Sequence, residues 1–418
     1  MRRASAYQFR SSRYRDAPAF ENPTTPDIIS TSQSRELQSP PYLPFQLVLR
    51  REVNPTWVLL GCAACLYLPF IFAGPGSDPD SIRELRSGAT LLWQHRYVVS
   101  RPPGYFPDEA LCGLLYAFGG TAATNLATVA MSLLLLDSFL CICGHFEVPH
   151  RYLLAATMAI QPLYWTCSTS TIDFIWALGC FMVGFRRWLK HRYFSAGAML
   201  GLAVGIRMSS VLLAGPFLIW EIIDHPREIK LWIAAALATA VGAMLYVPEF
   251  VASGHSLDFL TYYIGAWTMT GHLGRFIYKN VYFWGLPAGL LFFAIAPVLI
   301  RELTRCDRKF SRIIILSMSI VVLFEALFLK IPVQRGYLLP ILPFVLILLG
   351  IALRGRPQTL LAMTMLIFSY NFVNLNVARP DVPDQATRAI FGPFIEAGYL
   401  LDDLSKRLAL SHSSDVPR

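Results

Sequence analysis

FSAGAMLGLAVGIRMSSVLLAGPFLIWEII, residues 194–223, is an apolar run of thirty residues with Arg207 near its middle. One membrane crossing takes about 20 residues, within a range of roughly 17–25. The run is long for one crossing and short for two. An arginine in the middle of a membrane helix costs roughly 2.5–3.5 kcal/mol even on the mildest scale. Two short helices meeting at Arg207 would carry that charge to a helix end, and the charges elsewhere favour this reading. With two crossings, loops 144–151, 186–193, 224–230, 301–311 and 354–358 share the side of the N-terminal segment. They hold Arg186, Arg187, Lys190, Arg192, Arg227, Lys230, Arg301, Arg305, Arg308 and Lys309. With one crossing, the cluster Arg301–Lys309 would face outside, against the positive-inside rule.

The rest of the chain has the same character. Of its 418 residues 55% are hydrophobic and 15% charged, and mean hydropathy is +0.46. A soluble domain carries about 25% charged residues, so a polytopic membrane protein is expected and an ordinary cytosolic enzyme is excluded. In that class a net charge of +9 reads as loop asymmetry, not as a nucleic-acid surface. Apolar segments recur at 56–73, 122–143, 152–166, 170–185, 194–223, 231–250, 282–300, 312–329, 337–353 and 359–378. Counting 194–223 twice, the expectation is an all-α protein of about eleven membrane helices, N-terminus cytoplasmic and C-terminus outside. Residues 1–55 read as a disordered basic tail, 56–378 as the membrane domain and 379–418 as an outer tail. The first apolar stretch starts near Trp57, which argues against a cleaved signal peptide. The eight cysteines show no zinc spacing and read as small apolar residues.

The outer loop 74–121 is the richest in chemistry. Gly76-Ser-Asp78-Pro79-Asp80-Ser-Ile82-Arg83-Glu-Leu85-Arg86 follows the first helix directly. Asp78 and Pro79 mark a helix start. Ile82, Leu85, Ala89 and Leu92 fall at three- to four-residue spacing, which predicts an amphipathic helix on the membrane surface. Asp80 and Arg83 share a face. A turn around Tyr97 and Arg101-Pro-Pro-Gly-Tyr105 follows, then a second short surface stretch at 109–118. Asp78-Pro79-Asp80 is also a D-x-D, the pair that binds metal and nucleotide-sugar in soluble glycosyltransferases, and it leaves a divalent metal open. Those enzymes need a Rossmann-like domain, which this chain lacks. The bland alternative is a capped helix with solvated arginines.

This loop resembles that of the GT-C membrane glycosyltransferases, including the protein O-mannosyltransferases and the aminoarabinose (lipid A) transferases of family 39. Three stretches carry the likeness: Asp80-x-x-Arg83 with Tyr97 and Arg101–Tyr105; Gly201-Leu-Ala-Val-Gly205-Ile-Arg207; and Gln334-Arg335-Gly336-Tyr337-Leu-Leu-Pro340-Ile-Leu-Pro343. It covers about residues 55–355. It departs from the family where the usual Asp-Glu pair reads Asp80-Ser81, and the large C-terminal soluble domain of some members is not expected here. The resemblance implies a sugar donor on undecaprenyl or dolichyl phosphate and inverting transfer at the outer face to a lipid, glycan or protein. Asp80 would be the catalytic carboxylate, with Asp78 in its place if the register slips by two. Arg207, Arg335 and Lys330, with Arg83 and Arg101 behind them, would meet the donor phosphate. Tyr105, His255 and Tyr262 are candidates for contact with the acceptor. No cofactor or nucleic-acid partner is implied. The expected location is the bacterial inner membrane rather than the endoplasmic reticulum.

Charge depth gives an independent view. On this topology Asp173, Arg207, Glu249, Glu325, Lys330 and Arg335 gather at the outer leaflet, with Asp173 a natural neighbour for Arg207. The rival reading is a secondary transporter or lipid flippase, which should place its charges near the midplane between repeats. This chain shows no repeat.

Overall fold

The computed structural model describes residues 54–72, 74–76, 78–257, 269–284, 286–353, 374–377 and 389–392. They are almost entirely helical. In chain order the helices are α1 (Pro55–Tyr67), α2 (Pro79–Gln94), α3 (Phe106–His145), α4 (Arg151–Ile160), α5 (Pro162–Ser168), α6 (Asp173–Leu189) and α7 (Tyr193–Ile206). Then come α8 (Val211–Asp224), α9 (Ile229–Met244), α10 (Val247–Ala252), α11 (Met269–Phe283), α12 (Leu286–Thr304), α13 (Ser311–Lys330) and α14 (Leu342–Ala352). Tight 3-10 segments continue α1 over Leu68–Phe72 and lead into α14 over Arg335–Ile341. One short antiparallel pairing, Asn374–Val377 with Ala389–Gly392, completes the described chain.

The thirty-residue run does break at Arg207. That residue takes an extended backbone (φ −148°, ψ 113°), a 3-10 turn spans Met208–Ser210, and α8 follows. Helices α7 and α8 have 14 residues each, about 21 Å at 1.5 Å per residue. Among the described residues five helical stretches are long and apolar enough to cross a membrane: Pro55–Phe72, Phe106–His145, Ile229–Ala252, Arg308–Lys330 and Arg335–Ala352. The pair α5 and α6, bent by 98°, makes a sixth if it is one span. The smaller number has local causes. The segment 152–166 is interrupted at Gln161-Pro162, where proline starts α5. Most of 359–378 lies outside the described residues, and its end, Asn374–Val377, is a strand. The stretch 251–281, which separates two of the apolar segments, contains most of α11. The expected surface stretch 109–118 is the first part of α3, set off by non-helical backbone at Gly119 and Gly120.

Small residues permit the closest packing. Helix α7 lays Gly197, Gly201 and Gly205 against α9 and Leu245. A Cβ on Gly197 would stand 2.5 Å from the Ala234 carbonyl oxygen, and one on Gly201 2.6 Å from that of Ala238. Backbone contact of this kind drives helix association where lipid removes the hydrophobic incentive. Helices α2 and α3 meet the same way at Gly88 and Gly113. In the interior, Phe185 packs on Phe217 with ring centroids 4.7 Å apart, and Phe181 touches Phe344 of the buried α14. Outward-facing Trp57, Ile219, Ile223, Trp232 and Val322 are exposed apolar side chains, as expected of a lipid-facing wall.

Asn125 in α3 positions the loop that carries the site. Its amide donates to the carbonyls of Ile71 at 3.0 Å and Gly74 at 2.7 Å, while its oxygen accepts from Thr171 at 3.0 Å. The Thr171 N–H donates to the Pro75 carbonyl at 2.9 Å. The link between α1 and α2 is thereby tied to the link between α5 and α6. Gly76 passes beside Ser170 at φ +115°, a conformation that favours glycine.

The α7–α9 contact is directly testable. Gly201→Ala should lower stability by about 1–3 kcal/mol through overpacking. Gly215→Ala, where a Cβ meets nothing within 4 Å, should be neutral or stabilising. Thermal unfolding of the two detergent-purified variants measures the difference.

Candidate active site

Helix α2 begins with Asp78 as its cap: the Asp78 side chain accepts the Asp80 N–H at 3.0 Å. Burial raises the Asp78 carboxyl above its ordinary value, against the pull of that hydrogen bond. Asp80 and Glu84 are one helical turn apart and so lie on one face; both are buried. An amphipathic surface helix would leave Asp80 at the surface, but it is only 6% exposed, because α2 packs into the protein. Its Oδ1 accepts from Arg83 Nη1 at 3.1 Å, and its Oδ2 accepts from Gln334 Nε2 at 2.8 Å.

Arg101 stands at the centre. Its Nη2 donates to Asp173 Oδ1 at 2.9 Å. The same nitrogen is 2.7 Å from Glu84 Oε1, an ion pair without hydrogen-bond alignment, and Nη1 is 3.5 Å from Asp80 Oδ2. Its guanidinium also lies 4.3 Å from the centroid of the buried Tyr105 ring. Burial alone would lower its pKa, but the charges of Glu84 and Asp173 more than reverse that. Burial pushes Glu84 well above the ordinary 4.5, despite the attraction of Arg101.

Arg207 is 4% exposed and forms an ion pair from Nη1 to Asp173 Oδ2. Three rings wall it in: Phe174 at 3.8 Å, Tyr337 at 4.7 Å and Tyr105 at 5.7 Å. Such contacts compensate a desolvated cation. Its position follows from the end of α7, and the ring wall follows from Gly336, which lies so close to Phe174 that a Cβ would stand 2.1 Å from Cζ.

Of the residues singled out by sequence, the fold thus joins Asp78, Asp80, Arg83, Arg101, Tyr105 and Arg207. Arg335 lies next to Gln334, half-buried, and among the described residues no carboxylate pairs with it. Lys330 is exposed at the end of α13, with no contact to this cluster among the described residues. His255 is exposed too; its ring contacts Phe250. Tyr262 lies outside the described residues. Sequence reasoning gave no role to Glu84, Gln334, Asp108 or Glu109. Glu84 was detectable from its four-residue spacing to Asp80. Glu109, buried, accepts from Ser100 N at 3.1 Å and Ser87 Oγ at 3.0 Å and so braces the turn before Arg101. Glu249, also buried, accepts from the Tyr97 hydroxyl at 3.3 Å. Among the described residues no group of three His, Cys, Asp or Glu side chains is placed to hold a metal. The space between the Asp80, Glu84 and Asp173 carboxylates is filled by Arg101, so they do not fit one.

Neither a protein-family model nor a curated protein sequence matches the chain. Among solved structures, it is similar to ArnT from Cupriavidus metallidurans in the apo state, at TM-score 0.52 and 17% identity, over 74% of this chain and 62% of that one. The structure of the same ArnT bound to undecaprenyl phosphate matches at TM-score 0.52 and 17% identity, over 75% and 63%. The chain therefore spans less than two thirds of the length of these neighbours. At this identity the likeness concerns the fold: a polytopic all-α membrane protein built as ArnT is built.

Proposed function

We propose that the chain is a membrane glycosyltransferase that takes a sugar from a polyprenyl phosphate. One observation carries this reading: a buried aspartate, Asp80, follows the first membrane helix and stands beside Arg101, which Asp173 joins to Arg207. The ArnT-like fold supports it, as does the undecaprenyl phosphate bound to one ArnT structure. Asp80 accepts the proton of the acceptor hydroxyl as its oxygen attacks the anomeric carbon. The bond from that carbon to the lipid phosphate breaks, and the electron pair leaves with the phosphate. Attack from the face opposite the leaving group inverts the centre. Arg335 is the cation we assign to the departing charge, because it is half-buried and carries no carboxylate partner among the described residues. Arg101 and Arg207 are already paired with carboxylates and act first on these. The loop charges support an active site on the outer side with the N-terminus in the cytoplasm, and we place the chain in a bacterial inner membrane. The acceptor is a lipid, glycan or protein hydroxyl.

Purified protein supplied with labelled sugar on undecaprenyl or dolichyl phosphate should consume it. Asp80→Asn should lower transfer by about a hundredfold or more while the protein still purifies folded. Asp78→Asn keeps a good cap and should retain activity. Loss in Asp78→Asn with full activity in Asp80→Asn would move the catalytic role to Asp78. Full activity in both would sink the mechanism.

Arg101 yields a stability prediction. Arg101→Met strands buried carboxylates and should cost about 3–5 kcal/mol. The Glu84 carboxyl, already raised by burial, loses its attraction to Arg101 and rises further. A carboxyl raised in the folded state stabilises fully below its unfolded value, and that stability is lost as pH rises through the folded value. The deficit of Arg101→Met should therefore be larger at pH 8 than at pH 5 in thermal unfolding. A deficit independent of pH would show that Arg101 acts by packing alone.

A further inference from the structure

Three side chains reach Asp80, and they differ in kind. Arg83 comes from the same helix, but its side chain is 58% exposed, so water screens the pair. Arg101 divides its charge among Asp80, Glu84 and Asp173 and stands 3.5 Å from the first. Gln334 is neutral and closest, at 2.8 Å. It arrives from 254 residues further along the chain, and its approach is firmly set. Its backbone is extended at φ −125°, ψ 140°, and its carbonyl accepts the Tyr337 N–H at 3.3 Å. Two residues on, Gly336 is pressed against Phe174, the neighbour of Asp173. The contact that walls Arg207 thus also seats Gln334.

We propose that Gln334 is the positioning residue for Asp80. Its amide N–H fixes the rotation of the carboxylate through Oδ2, leaving lone pairs of Oδ1, beside the exposed Arg83, to face an incoming hydroxyl. A carboxylate offers about four acceptor sites, so a second donor is accommodated. Gln334 adds a donor without adding a charge, while Oδ1 already accepts from Arg83 Nη1 at 3.1 Å and keeps a further lone pair. The inference rests on the glycosyltransferase reading for its catalytic consequence, but the Gln334–Asp80 contact can be tested without it.

The test uses the full purified chain. Gln334→Glu keeps the shape and exchanges a donor for an acceptor; Gln334→Asn is one methylene too short. In both, kcat for a labelled polyprenyl-phosphate sugar should fall roughly ten- to a hundredfold, the scale of a misplaced catalytic group. KM for the donor should stay unchanged, because the interaction acts on the reacting carboxylate and not on donor binding. The rate at which a carbodiimide labels Asp80 in Gln334→Asn, read by peptide mass spectrometry, should rise several-fold, since a carboxylate freed from its donor is more open to the reagent. A raised KM with intact kcat would overturn the proposal, as would an unchanged labelling rate. If the wild-type protein transfers no sugar, the functional reading fails on its own, and the labelling rate still decides whether Gln334 holds Asp80.

Discussion

The Asp173 carboxylate is fully buried and takes one guanidinium on each oxygen, Arg101 on Oδ1 and Arg207 on Oδ2. The rest of the site depends on this arrangement. Arg101 belongs to the link between α2 and α3 and Arg207 to the break between α7 and α8, so one side chain at the start of α6 joins three distant parts of the chain. Removing two cations and an anion from water is costly, and a buried pair of this kind is weak evidence for stability. It is much stronger evidence for a defined geometry, because each partner left alone would be an uncompensated buried charge. Phe174 extends the arrangement by stacking on Arg207 and receiving Gly336.

The charge balance of the cluster is acidic. Asp80, Glu84 and Asp173 face Arg101 and Arg207, and the third cation, Arg83, is largely in water. The raised Glu84 carboxyl eases that imbalance by favouring its neutral form at the centre. On the proposed function, a phosphate would meet Arg335 at lower cost than either central arginine, since the latter already have their counter-charges.

Parts of this architecture are legible along the sequence because they depend on local chemistry. Asp78 and Pro79 announce the start of α2 through capping and a preset φ. The spacing of Ile82, Leu85, Ala89 and Leu92 gives its apolar face. Arg207 marks the end of α7 because an unpaired charge cannot stay inside an apolar run. Its pairing with Asp173 could be foreseen from depth alone. The interruption at Gln161-Pro162 is readable from proline, but the surrounding hydropathy outweighs it and points to a single helix over 152–166.

What the amino-acid order determined by itself is the class of protein, the helix that starts at Asp78-Pro79 and the break at Arg207. Each follows from residues within a few turns of one another. What only the tertiary structure decided is which carboxylates Arg101 meets. Arg101 could have answered any carboxylate in the loop; packing of α2, α3 and α6 brings it to Asp80, Glu84 and Asp173 together. Lys330 and Arg335 look alike in sequence, yet the end of α13 leaves the first exposed while the second, at the start of the 3-10 turn, is half-buried. Gln334 carries no charge and only opens the stretch 334–343, so nothing along the chain tied it to Asp80. Its role arises because Gly336 lets the late segment approach Phe174 closely enough for an amide to reach Asp80 across 254 residues.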